Sequence, residues 1–238
     1  MHHLKYFEEL NTPTDDKLLA EFDVIKKTLG NNCSDYIDKL DNRLLWRGYI
    51  IKPNSSGYSC NSNIIPKIPR KDRRGFNMSD EMRELFDDCF EEEFGEGVRP
   101  RTRGVFTFNG PTEAKTYANT CSPWMVFPKG SYTTLFSYLY PDLYINTPNT
   151  RYEGYVARKR THGDTKELRN DYPETEEELR RNAKEKIKVA TSTYSTEDFK
   201  NAPGGCEIML LCDEYYLVNG KFNKLICEWL GTEYEVSI

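Results

Sequence analysis

Histidine is almost missing from this chain. It occurs three times in 238 residues, twice at positions 2 and 3, so His162 is the only internal imidazole. A cysteine nucleophile needs a base beside it, and one histidine offers little to build a Cys–His enzyme on. Equally lacking are a Gly-rich phosphate cradle, a zinc-protease helix and a serine-hydrolase elbow. No run approaches the roughly 20 apolar residues of a membrane span. Residues 1–30 are charged and lack the apolar core of a leader, so no membrane association is expected. The cysteines, at 33, 60, 89, 121, 206, 212 and 227, form neither the tight pairs of a zinc site nor a disulfide framework. Reduced thiols, no metal and a soluble intracellular protein are expected. The net charge of -5 argues against coating nucleic acid through overall charge, while leaving room for a local basic site.

Aromatic residues are plentiful. Sixteen Tyr and twelve Phe predict a core rich in rings whose hydroxyls need partners. Length and composition fit one large domain, or a domain plus a lobe.

Along the chain, Thr14 is placed to cap a helix running through Lys27, with Gly30 as its stop, and Ser34 to cap a second, to Leu40. Residues 44–51 (Leu-Leu-Trp-Arg-Gly-Tyr-Ile-Ile) read as a strand. Residues 53–77 read as a long irregular section ending in Arg70-Lys71-Asp72-Arg73-Arg74. Ser79 starts an acidic helix whose Met82, Leu85, Phe86, Cys89, Phe90 and Phe94 share a core-facing side. Gly104–Phe108 reads as a strand, Pro111–Ala118 as a short helix, Trp124–Phe127 as a strand, and residues 131–145 as strand and turn. Glu174–Ala190 predicts an exposed helix with a solvated charged face. A Pro/Gly turn, Ala202-Pro203-Gly204-Gly205, precedes the strand beginning at Glu207, and residues 222–230 suit a helix. Irregularly spaced strands mixed with helices favour α+β: a mixed or antiparallel split β-sheet core with flanking helices. The expected organisation is an N-terminal helical segment over 1–43 and one α+β domain over 44–238, with a charged helical insertion at about 151–200.

Three distant stretches each set a polar residue among apolar strand formers. Arg47 lies in the first strand, where it needs a counter-charge such as Asp41 or a cleft to face. Gly48 beside it would permit close approach of a ligand to the backbone. Thr107 and Asn109 end the second strand. Glu207 opens the third, either as a solvated strand edge or as an acid aimed into a cleft by its preceding turn. Arg70, Lys71, Arg73 and Arg74 put four cations within five residues, read either as a solvated loop or as an anion site for an adenosine phosphate, a nucleic acid or an acidic protein.

In this order the stretches resemble the ADP-ribosyltransferase fold, in the branch marked by arginine, a serine-threonine-serine strand and glutamate. Trp46-Arg47-Gly48 resembles its aromatic-Arg-Gly strand, and Val105 to Ala118 its second strand and short helix. Met125-Val126-Phe127-Pro128-Lys129-Gly130 resembles its aliphatic strand with a Pro-Lys-Gly end. Glu207-Ile208-Met209-Leu210-Leu211 with Tyr215-Tyr216-Leu217-Val218 resembles its glutamate strand. The likeness covers residues 44–219 loosely. It implies NAD as substrate and a catalytic set of Glu207, Arg47 and Thr107. Glu207 would face the oxocarbenium-like transition state, Arg47 the pyrophosphate, and Thr107 or Asn109 would hold the acid or the ribose. Gly48, Tyr117, Phe127 and Tyr132 would line the cofactor, the rings being equally good core residues. Two departures stand out: Thr107-Phe108-Asn109 replaces the hydroxyl triplet, and Gly205 replaces the Glu or Gln frequent two residues before the glutamate in arginine-modifying members.

A narrower likeness joins Pro69–Arg74, the acidic helix after it, Glu207-Ile208-Met209 and Cys212–Tyr216 to a group of uncharacterised tailed-bacteriophage proteins. It implies a phage protein in the host cytoplasm, or packaged in the virion, acting on a host protein or nucleic acid. The competing reading is a non-catalytic phage structural or host-takeover protein on the same scaffold.

Overall fold

The computed structural model describes residues 14–40, 43–48, 59–71, 78–118, 122–140 and 151–232. Helices and antiparallel strand pairs combine as the expected α+β class requires. The chain divides into two compact units, neither continuous in sequence. The first comprises Met1–Lys67, Gly110–Ser131 and Glu214–Ile238, the second Ile68–Asn109 and Tyr132–Asp213. Two long strands, β4 (Trp124–Ser137) and β6 (Glu207–Asn219), contribute residues to both.

In the first unit α1 (Thr14–Asn32) buries Phe22, Ile25 and Leu29 at helical spacing. Phe22 stacks on Phe222 at 6.5 Å and meets Trp229 edge-on at 6.3 Å, which docks α1 on the C-terminal helix α9 (Asn223–Leu230). The helix does not stop at Gly30. Leu29 is fully buried, and Asn32 donates through Nδ2 to the Thr28 carbonyl at 2.7 Å, so packing and a local bond carry it one further half-turn. After α2 (Ser34–Ile37), the Tyr36 ring packs edge-on to Phe127 at 5.6 Å while its hydroxyl accepts from the Leu45 amide. That contact seats β1 (Leu45–Arg47), which pairs antiparallel with β4. The short helix α5 (Pro111–Thr116) packs on β1.

A strand absent from the sequence reading, β2 (Ile64–Lys67), pairs antiparallel with the end of β6. Pro66 concealed it. Proline removes a ladder donor and reads as loop, yet it is tolerated on an edge strand. Asn219 fixes this pairing by donating to the Cys60 and Ser62 carbonyls. Cys60 is disulfide-bonded, which corrects the expectation that every thiol is reduced.

The second unit has an aromatic core. The Ser79 hydroxyl caps α3 (Asp80–Phe94) by accepting from the Met82 amide, and Met82, Leu85, Phe86, Cys89 and Phe90 are buried as the periodicity predicts. They pack with α6 (Arg151–His162) and α8 (Glu176–Thr191). The charged region is therefore not simply a solvated insertion. Leu179, Ala183, Ile187 and Ala190 form a buried stripe at helical spacing, and only the remainder of α8 is polar. Thr175 and Glu178 close a capping box at its start, and α7 (Lys166–Asp171) is capped by Thr165. The buried Asp87 accepts from the Arg101 amide and the Thr102 hydroxyl, anchoring α4 (Pro100–Arg103) just before β3 (Val105–Phe108). The Arg101 guanidinium lies between the rings of Phe86 and Phe106, at 5.4 and 5.1 Å. The second half of β4 pairs with β5 (Tyr194–Ser195).

Candidate functional site

Thr107, Asn109 and Glu207 lie together in the second unit. β3 runs antiparallel to the start of β6, with Phe108 opposite Glu207 and Thr107 opposite Ile208. Strand side chains alternate between faces, so Glu207 shares a face with Phe108, and Thr107 points to the other. Thr107 is fully buried and donates from Oγ1 to the Ile208 carbonyl at 2.8 Å. Its hydroxyl is thus spent on the main chain just beyond the acid rather than on the carboxylate.

Asn109 is the organising side chain of this region. It is buried, and its Nδ2 donates to the carbonyls of Ala202 (3.2 Å) and Pro203 (2.7 Å). Its Oδ1 accepts from the Gly205 amide at 3.0 Å. One amide therefore grips three main-chain groups of the turn that delivers Glu207. Gly205 has φ of 75°, a left-handed conformation that glycine adopts without strain, and Cys206 closes the turn by donating from its amide to the Pro203 carbonyl. Burial pushes the Cys206 thiol up to about 11, so it is held protonated and makes a poor nucleophile at neutral pH. Glu207 itself is half-buried at the first position of β6. Asn109 holds the Pro/Gly turn in place.

The first unit holds Arg47, Gly48, Tyr117 and Phe127. Arg47 is half-buried at the end of β1, directly opposite Trp124 on β4. Gly48 follows, and the space a β-carbon would take is filled by α5 and its exit. An added Cβ would lie 2.4 Å from the Ala114 carbonyl oxygen and 2.7 Å from the Ala118 amide nitrogen. The glycine accommodates the chain's own backbone. Tyr117, at the end of α5, is half exposed. Phe127 is completely buried against Tyr36, and so belongs to the core. Tyr132, the other ring considered for nicotinamide, lies in the second unit and is half-buried. Arg70 and Lys71 are exposed; Arg73 and Arg74 lie outside the described residues.

One residue escaped the sequence reading. Trp124 is completely buried, yet its indole Nε1 has no hydrogen-bond acceptor among the described residues. Only the strand register, which sets it against Arg47, reveals its place. Among the described residues no group of three His, Cys, Asp or Glu side chains is arranged to hold a metal ion. No helix among them is long and apolar enough to cross a membrane. Compared with family models, curated proteins and solved structures, the chain matches none.

Proposed function

We propose that this chain is an NAD-dependent enzyme of the ADP-ribosyltransferase type, a phage protein that modifies a host protein or a nucleic acid in the host cytoplasm. The observation that carries this reading is the clamp on the turn before Glu207. A buried asparagine binds three main-chain groups within five residues of a half-buried carboxylate at a strand start. Preorganisation of that kind suits an acid that must stabilise charge without rearranging.

The chemistry would run as follows. The bond between nicotinamide and ribose C1 breaks, nicotinamide leaves with the electron pair, and positive charge spreads over C1 and the ring oxygen. Glu207 stabilises that charge. An acceptor nucleophile, or water, then forms the new bond to C1 and loses its proton. Thr107 and Asn109 act on the backbone around the acid. Isothermal titration with NAD is expected to give saturable binding that is retained in Glu207→Gln while release of nicotinamide falls. No heat at millimolar NAD removes the proposal.

A second reading, a non-catalytic binding protein on a similar scaffold, is favoured by one observation. Thr107 and Asn109, standing where the resemblance places its hydroxyl triplet, make their bonds to the main chain. The two readings separate on turnover. The binding protein leaves NAD intact over hours, whereas the enzyme releases nicotinamide.

A further inference from the structure

We infer that the second unit carries a binding cavity for an uncharged heteroaromatic amine, the chemistry of a cytosine or adenine base, between the start of α6 and one face of α8. The inference stands apart from the NAD reading and uses residues of one unit alone. Three observations meet here. First, these elements form an open cavity of about 360 Å³, within the range of about 300–1,000 Å³ usual for small-molecule sites. Its apolar lining is Tyr152, Leu179, Ala183 and Val189. The first three are buried in the core of this unit and fix the floor, whereas Val189 is 64% exposed, a large apolar side chain left to solvent. Second, Glu174 lines the same cavity, and its Oε2 is buried yet accepts no hydrogen bond among the described residues. Arg151 balances its charge, with Nη2 at 3.2 Å, but donates to the Asp171 carbonyl at 2.9 Å. A buried acceptor of this kind calls for a donor. Third, Asn182, exposed on the same lining, brings an amide that both donates and accepts. Helical spacing puts it on the α8 face that carries Leu179, Lys186 and Val189.

The ligand class follows from the charges and the polar atoms. Arg151 and Lys186 offset Glu174 and Glu185 on the lining, so a neutral ligand leaves the cavity balanced and an ion does not. The apolar floor suits a body with little polar surface. The open acceptor calls for an N–H. The neighbouring amide is matched by an amino group next to a ring nitrogen, the edge that asparagine reads on adenine. Cytosine presents the same pairing of amino group and ring nitrogen. Uracil instead sets carbonyl oxygens on both sides of its N–H, and these would meet the Glu174 carboxylate with like partial charge. The cavity binds and performs no chemistry.

The test titrates the full-length chain with cytidine, which forms no part of NAD and so does not report on the Glu207 site. Isothermal titration is expected to give saturable binding of cytidine and adenosine and much weaker binding of uridine. Glu174→Ala is expected to lower cytidine affinity by roughly ten- to a hundredfold, the effect of one hydrogen bond to a charged group. The ion pair with Arg151 that this variant also removes lies at the surface and adds little to stability. No binding at millimolar cytidine, uridine bound as well as cytidine, or an unchanged dissociation constant in Glu174→Ala overturns the inference and leaves the NAD proposal standing. Should that variant fail to fold, Asn182→Ala decides. The position is exposed on a helix and alanine is the stronger helix former, so the fold is kept. Its cytidine affinity is expected to fall by roughly three- to tenfold, the effect of a neutral hydrogen bond, and no change overturns the inference. A single-stranded oligocytidylate separates the two sources of such a base. Binding tighter than that of cytidine and lost in Glu174→Ala assigns the cavity to the bases of a nucleic acid; binding no tighter assigns it to a free nucleoside or nucleotide.

Discussion

Removal of the Asn109 side chain tests the clamp directly. Asn109→Ala deletes three hydrogen bonds, of 2.7, 3.0 and 3.2 Å, made by a buried amide to main-chain groups of one turn. Each is worth about 1 kcal/mol net, and the abandoned Gly205 amide and two carbonyls recover part of that from water that enters the vacated space. The loss is therefore about 2–3 kcal/mol, or a fall in melting temperature of about 5–10 °C for a chain of this size. Asn109→Asp separates hydrogen bonding from volume. It keeps an acceptor for the Gly205 amide but turns a carboxylate oxygen toward the Ala202 and Pro203 carbonyls, so it should be at least as damaging as alanine. Thr107→Val loses one bond, to Ile208, and should cost only about 1 kcal/mol. Thermal unfolding ranks the variants, and hydrogen exchange at the Gly205 amide locates the effect. If Asn109→Asp restores wild-type stability, or Asn109→Ala leaves Gly205 exchange unchanged, the clamp is not what holds the turn.

Gly48→Ala should destabilise the first unit more than a routine surface change, since the new methyl would meet backbone of α5 and its exit at 2.4–2.7 Å; chemical denaturation measures it. Burial is the main reason the Asp87 carboxyl sits above its usual 3.8. The folded state therefore holds that proton more tightly than the unfolded one, and its contribution to stability is complete below about pH 4 and is lost as pH rises through the raised value. Urea midpoints between pH 3.5 and 6 should show this decline in wild type and lack its share in Asp87→Asn. Cys33, pushed up to about 12 by burial, and Cys206, up to about 11, should resist iodoacetamide at pH 8, while the half-buried Cys212 is labelled first; peptide mass spectrometry reads the order. If the Arg70–Arg74 cluster takes nucleic acid, fluorescence polarisation should show affinity falling steeply with salt, and a flat response excludes that use.

The helices with a clear apolar period and a capping residue were legible in the sequence. Ser79 and the side bearing Met82, Leu85, Phe86, Cys89 and Phe90 specify α3 with little help from the rest of the fold. α8 was legible in extent but not in role. Its charge hides a four-residue stripe, Leu179, Ala183, Ile187 and Ala190, made partly of alanine, which carries little hydropathy signal yet packs closely. β2 was illegible because Pro66 imitates a loop. β4 was broken in two by Pro128 and Gly130, although the strand passes through both, with Gly130 at φ 67°. Within the candidate site, the neighbourhood of Thr107, Asn109 and Glu207 could be expected from the order of the motifs. The division of labour could not. That Asn109 grips the turn, that Thr107 bonds Ile208 and that Gly48 yields space to α5 depend on main-chain positions far away in sequence. The orphan N–H of Trp124 is a tertiary property altogether, because tryptophan in an apolar strand reads simply as core.

The central claim, that Glu207 stabilises charge developing on a ribose, is tested most directly by release of nicotinamide from NAD labelled in that ring, followed with wild type and Glu207→Gln side by side. The account predicts slow but enzyme-dependent release by wild type and a rate lower by roughly 10²–10³ in the variant, with NAD binding retained. Equal rates in the two proteins, or intact NAD after prolonged incubation with wild type that binds it, would contradict the claim.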